Sequence, residues 1–253
     1  MPSFRLVLLG TGNAFNSDGR GSPSIWLEPR EGPPCLVDAG PTALAAMEEY
    51  GLSPDAVEKV FFTHLHGDHT AGWPFLLLHA AFVARRSRPI EVFGSSGTKG
   101  QLEQLAASCY PELVAADKLR FPVRYHELPV AKATGIAVAP GLTVDIVPME
   151  HHPSSIGYRF HCGGLSLGVS GDTGWCPDLE ELGRGCDALI VECSSVEKQK
   201  YAHVSLEELR ANRSRLGAPQ VVLVHLSDAV VRALDADPIP GVRATHDGLQ
   251  LDI

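Results

Sequence analysis

Four short apolar runs, far apart in the chain, each lead into a histidine or an aspartate. "EKVFFT" precedes His64 and "GLTVDIVPM" delivers Glu150, His151 and His152. "LSLGVSG" runs into Asp172, and "QVVLVH" ends on His225. Short runs rich in β-branched and aromatic residues, bounded by turn formers, read as strands. Side chains that carry chemistry concentrate at the ends of such strands, where loops begin. A fold that uses these four must therefore bring four strand ends together.

The densest of them is "FFTHLHGDHTAGW", Phe61 to Trp73, which holds His64, His66, Asp68 and His69. His64 and His66 are two apart, so on an extended segment both imidazoles point to the same side. Gly67 then permits a turn, after which Asp68 and His69 can face a second ion. Imidazole and carboxylate donors at this spacing suit zinc and, less exclusively, manganese or iron. Four residues make at most half of a two-metal site, so the other strand ends must complete it. The expected arrangement puts His64, His66 and either His151 or His152 on one ion. Asp68, His69 and His225 hold the other, and Asp172 bridges the two. His79, His126, His161 and His246 lack such partners in sequence and are expected to pack or face solvent.

The chain has 253 residues, 44% of them hydrophobic, which is enough for a sizeable core. Strands and helices interleave in both halves and many strands come in hairpins, which suggests two sheets packed face to face with helices outside. No Pro/Ser-rich linker splits the chain, so residues 1–253 are read as one domain. Helices are expected in "PTALAAMEEYGL", "WPFLLLHAAFVARR", "SGTKGQLEQLAASCYPEL", "PDLEELGRG" and "DAVVRALDAD". Ser205 and Glu208 match a capping box and predict another helix start. "GVRATHDGLQLDI" reads as a terminal hairpin turning at Asp247 and Gly248.

A formal net charge of −9 argues against a broad basic surface for nucleic acid. A small phosphate ester remains compatible, because bound metal can supply local positive charge. The six cysteines form no C-x-x-C pair and read as buried thiols of a reducing compartment. No stretch is apolar for the ~20 residues that a membrane crossing needs, and the N-terminal run is too short for a secretory signal. The expectation is a cytoplasmic protein.

With these residues in hand, the chain resembles the metallo-β-lactamase superfamily, whose signature is H-x-H-x-D-H. The likeness runs from "LLGTGNAF" to "HDGLQLDI". It implies an α/β fold of four layers, an αββα sandwich, with two metal ions at one edge. Within the superfamily the chain is most similar to the ribonuclease Z and phosphodiesterase branch. "LGTGNAF", "RGSPSIWL", "VPMEHHPSSIGYRF", "SGDTG", "YAHVS" and "LVHLS" carry that similarity. The acid-His-x5-G-Y-R spacing of the branch selects His151 over His152 as the ligand. "YAHVS" resembles the segment that supplies a further catalytic histidine, here His203.

The branch's transfer-RNA arm often lies between the G-Y-R strand and the G-D-T motif; only "FHCGGLSLGVS" stands there. Transfer RNA is therefore not the expected partner, and a small or cyclic phosphodiester is. The resemblance implies a dinuclear zinc phosphodiesterase working through a metal-bridging hydroxide, with Asp68 and His203 catalytic. Because relatives are commonly dimeric, it also raises a homodimer. Two alternatives use the same fold: an ester, thioester or lactone hydrolase, and a non-catalytic accessory protein. Asp38 is a candidate hydrogen-bond partner of the metal loop, and Arg20 and Ser22 are candidates to meet an anionic substrate.

Overall fold

Two seven-stranded sheets lie face to face in the computed structural model, which describes residues 3–114 and 119–253. The first is made of β1 (Phe4–Gly10), β2 (Ser24–Pro29), β3 (Cys35–Val37), β4 (Lys59–Phe61), β5 (Ile90–Ser95), β6 (Val123–Leu128) and β14 (Gln250–Asp252). Their order is β14-β1-β2-β3-β4-β5-β6. The second contains β7 (Ala133–Ala139), β8 (Leu142–Pro148), β9 (Ile156–Cys162), β10 (Leu165–Val169), β11 (Ala188–Glu192), β12 (Gln220–Val224) and β13 (Val242–Ala244). Their order is β13-β12-β11-β10-β9-β8-β7.

Each sheet is mixed in the same way. Strands β3 to β6 are mutually parallel, as are β10 to β13, while the remaining neighbours are antiparallel. In sheets with parallel strands, ligands gather beyond the carboxyl ends. His64, Asp172 and His225 all follow the carboxyl ends of such strands.

Alternation along β1 shows how the layers are held. Leu6 and Leu8 face the core between the sheets, whereas Val7 and Leu9 face the helices outside. That outer layer includes α1 (Ala43–Glu49), α2 (Gly67–Thr70), α3 (Trp73–Leu78), α4 (Thr98–Cys109) and α5 (Pro111–Val114). On the far side α6 (Pro177–Gly183), α7 (Leu206–Asn212) and α8 (Asp228–Ala236) cover Leu189, Val191, Val221 and Leu223. The result is the expected αββα sandwich. Each fully buried Leu or Phe contributes about 2 kcal/mol by leaving water. Between the sheets Phe61 stacks on Phe93 at 4.8 Å and meets Tyr158 and Phe160 edge-on.

Two hydrogen bonds join the sheets near the chemistry. The Tyr158 hydroxyl donates to Phe62 O at 3.0 Å, and Ile156 N donates to Thr63 O at 2.9 Å. They fix the strand leading to His64 against β9.

The capping box at α7 is formed in both directions between Ser205 and Glu208. The terminal hairpin is not formed. β13 joins β12 in one sheet and β14 joins β1 in the other. Asp247 is the reason. Its carboxylate accepts from Thr11 N, Thr11 Oγ1 and Gly21 N at 2.6–2.8 Å, so the residue anchors the loop after β1. The segment thus crosses between sheets. β6 and β7, invisible to apolar periodicity, are sheet edges with most side chains partly or fully exposed.

Candidate metal centre

His64 and His66 leave β4 in extended conformation, with His66 at φ −70° and ψ 155° just before α2. Their rings lie 4.7 Å apart, and each comes within about 5 Å of the His151 ring, at 5.2 Å and 4.9 Å. The turn at Gly67 then swings Asp68 and His69 toward β10 and β12. Gly171 allows the close approach from the second sheet. Its φ is +62°, and a Cβ there would sit 2.5 Å from the Thr63 Cβ.

The seven side chains named above fall into two groups. One nitrogen each from His64, His66 and His151 lies within 4.8 Å of the others. Asp68, His69, Asp172 and His225 form the second set at the same separation. Asp172 faces both. Its Oδ1 is 3.3 Å from His69 Nε2, and its Oδ2 is 3.2 Å from His225 Nε2, 3.9 Å from His151 Nε2 and 4.0 Å from His64 Nε2.

The donor chemistry fits divalent cations. His64 Nε2, Asp68 Oδ2, His69 Nε2 and His225 Nε2 are buried polar atoms without a hydrogen-bond partner among the described residues. Such atoms cost free energy unless something satisfies them. Imidazole and carboxylate lone pairs aimed at one another are satisfied by a positive ion.

Charge is distributed to match. Burial pushes the pKa values of His64, His66 and His151 down, so these rings are neutral donors. Burial also opposes charge on His69, but Asp172 and Asp38 more than offset it and raise its pKa. His225 is raised in the same way, chiefly by Asp172. Burial favours a neutral Asp172, yet His225, His69 and His64 hold it well below the carboxylate range. Asp68 is likewise held low, against burial, by contacts with His225 and His69.

Second partners orient the rings. Asp38 Oδ2 lies 2.7 Å from His69 Nδ1, and the same carboxylate accepts from Thr63 N and Thr63 Oγ1 at 2.8 Å. Ala202 O lies 2.9 Å from His151 Nδ1. Each contact turns Nε2 of its ring toward the cluster. Asp38 and His225 both have left-handed backbone, with φ of 59° and 57°. Non-glycine residues rarely adopt it, and such strain collects at functional sites.

His203 stands beside the cluster. Its ring stacks on that of His225 at 5.3 Å and lies 4.6 Å from that of His151. Its Nδ1 is 2.6 Å from Oε1 of Glu192, a fully buried carboxylate at the end of β11 that also accepts from Thr173 N at 3.0 Å. Burial first, then the charge of Asp172, pushes the Glu192 pKa well up. Glu192 escaped the sequence reading. Its signal was the one that exposed Asp172: an acid closing an apolar strand, in "DALIVECSS".

Among the other histidines, the His152 ring comes within 4.8 Å of that of His66. His152 contacts Ser154 Oγ through Nδ1 at 2.6 Å and belongs to neither group of ligand atoms. His126 stacks on Phe93, His161 contacts Asp145, and His246 contacts its own chain neighbour Asp247 O. His79 lies 4.0 Å from Glu48.

A cleft of about 940 Å³ opens above the cluster, lined by His66, Asp68, His151, Asp172, His203 and His225. The loop after β1 contributes Asn13, Ala14 and Phe15. Arg20 and Ser22 do not line it. The Arg20 guanidinium is used internally, donating to Thr11 Oγ1 and Thr245 O and lying 3.6 Å from Asp228. Ser22 is buried against Asn16 and Thr42. No helix among the described residues is long and apolar enough to cross a membrane.

Comparison with known proteins gives the family and the fold. Residues 4–237 match the family model described as "Anti-Pycsar protein Apyc1". A ribonuclease Z of Pyrobaculum calidifontis is 30% identical, over 90% of this chain and 88% of its own. The metallo-β-lactamase fold protein YhfI from Bacillus subtilis superposes with a TM-score of 0.80 at 16% identity, covering all of both chains. A diphosphatase of the PhnP family gives a TM-score of 0.75 at 19% identity, over 99% of this chain and 98% of its own.

Proposed function

The chain belongs to the family described as anti-Pycsar protein Apyc1, with the metallo-β-lactamase fold and a ribonuclease Z among its relatives, and we propose that it is a dinuclear zinc phosphodiesterase of small or cyclic phosphodiesters. The observation that carries the reading is the single carboxylate of Asp172 facing two sets of buried and half-buried donors at the floor of an open cleft. His64, His66 and His151 would hold one ion, and Asp68, His69 and His225 the other, with Asp172 shared. Bound divalent ions would supply positive charge to phosphoryl oxygens and make water a nucleophile near neutral pH.

The chain's own residues do the rest. Asp68 lines the cleft and would orient the attacking water, since His225 and His69 hold its carboxyl too low to keep a proton. His203, also on the cleft wall, gives a proton to the leaving oxygen from Nε2 while Glu192 fixes Nδ1. A substrate smaller than transfer RNA is supported by the tight link between β9 and β10. Gly163 and Gly164, both at positive φ, join them directly, and no arm extends there.

Metal analysis combined with a substrate panel tests the proposal. Two zinc equivalents per chain should accompany turnover of bis(4-nitrophenyl) phosphate and of a cyclic phosphodiester. Turnover of acyl esters or lactones alone would make this an ester or lactone hydrolase. Metal without turnover of any class would favour an accessory role.

A further inference from the structure

His225 is held in a backbone conformation that its residue type does not favour. Its φ is +57°, in the left-handed region that residues with a side chain rarely adopt, so the turn that ends β12 depends on its surroundings. Among the ligand rings, His69 is aimed by Asp38 and His151 by Ala202 O. No hydrogen bond of that kind grips the His225 ring, whose Nδ1 is buried without a partner among the described residues. Apart from its stacking on His203, the aim of this ring is set by its backbone.

One network fastens that backbone on both sides. Before His225, the Thr245 hydroxyl donates to Leu223 O. After it, Leu226 N donates to Thr11 O at 2.8 Å, where Leu226 pairs with Gly12. Arg20 joins the two holds, donating from Nη1 to Thr11 Oγ1 at 2.9 Å and to Thr245 O at 2.8 Å. At the centre stands Asp247. Its Oδ1 accepts from Thr11 N and Thr11 Oγ1 at 2.8 Å and 2.7 Å, and its Oδ2 accepts from Gly21 N at 2.6 Å. Thr11 is fully buried, and its hydroxyl is used completely, giving to Asp247 and accepting from Arg20. None of the three residues lines the cleft.

We infer that Asp247, through Thr11 and Arg20, is a positioning residue for His225, fixing the turn that aims Nε2 of that ring at Asp172 and Asp68. The distances set this way are 3.2 Å to Asp172 Oδ2 and 3.7 Å to Asp68 Oδ2. The inference rests on the two-ion part of the reading above and is independent of the reaction performed there. Groups that orient a ligand from outside the cluster are worth about 10- to 100-fold in metal affinity. The loss on breaking this network falls on the ion that His225 holds, and not on the one held by His64, His66 and His151.

Zinc competition titrations of the full chain test this without any turnover. Asp247→Asn keeps the side chain's shape, but an amide cannot accept at both ends. Thr11→Val deletes the hydroxyl between Asp247 and Arg20. Each should weaken one of two zinc constants about tenfold or more and leave the other within about twofold. In a His225→Ala background neither change should move the remaining constant by more than about twofold, because the ring through which the network acts is gone. Leu251→Ala, which loosens β14 without touching the network, is the structural control. It should lower the denaturation midpoint and leave both constants near wild type. Unchanged constants in both network variants, an undiminished loss in the His225→Ala background, or the same loss in Leu251→Ala would each overturn the role. A wild-type chain that bound a single zinc equivalent would overturn the two-ion reading, and the positioning role would then stand only if both network variants weakened that one constant.

Discussion

His203 Nδ1 and Glu192 Oε1 lie 2.6 Å apart, inside the wall of the cleft and behind the His225 ring. Glu192 is fully buried, so this contact fixes the plane of an imidazole whose other nitrogen is free to work. A carboxyl group in that position aligns a proton donor without touching the substrate.

His203→Ala should therefore lower kcat on a working phosphodiester by about 10²- to 10⁴-fold, the usual worth of a placed acid or base. Glu192→Gln should lower it on the order of 10- to 100-fold, by loosening the ring. Both variants should retain wild-type metal content. Unchanged turnover in His203→Ala would remove the residue from the reaction.

Metal affinity should rise with pH. His69 and His225 have raised pKa values and stay protonated further toward neutrality than an ordinary imidazole. A protonated ring has no lone pair to give, so binding an ion must expel those protons. Affinity is consequently lost as pH falls through the raised values. His64, His66 and His151 are depressed and compete little. Zinc competition titrations across acid and neutral buffers should show tighter binding on the alkaline side, and a flat profile would contradict this account.

Asp38 is the hinge between stability and the site. Asp38→Ala leaves Thr63 N, Thr63 Oγ1 and His69 Nδ1 without their acceptor. Each buried group left unsatisfied costs about 1–3 kcal/mol. The denaturation midpoint should fall markedly, and zinc affinity by about 10- to 100-fold. Asp38→Asn should be milder, because asparagine tolerates the left-handed backbone held at φ 59°.

Thiol reactivity should be confined to one position. Cys109 is exposed and the other five cysteines are buried. Burial pushes the Cys35 thiol up to about 12 and the Cys186 thiol up to about 11. An aromatic disulfide reagent should label one thiol quickly in the native chain and all six only after unfolding. Fast labelling of two or more would show that the interior opens.

Much of this was readable because the residues that matter sit where two different signals coincide. His64, Asp172 and His225 each close an apolar run and belong to short motifs, so strand pattern and ligand chemistry point to the same positions. Ser205 and Glu208 likewise announce α7 locally. What escaped depends on distant contacts. Asp247 and Gly248 look like a hairpin turn, but the carboxylate is claimed by Thr11 and Gly21, more than 220 positions earlier. Glu192 offers only one acid at a strand end, and nothing local says that His203 will lie beside it. Edge strands β6 and β7 carry no apolar alternation because solvent takes much of their surface.

Apart from its last strand, the first sheet is drawn from residues 4–128 and the second from residues 133–244. His64, His66, Asp68 and His69 hang from the former, and His151, Asp172 and His225 from the latter. Ions gripped from both sides would rivet the front half of the chain to the back half at a single margin. Stripping them would leave that margin to the bonds at Phe62 O and Thr63 O and to the packing between the leaves.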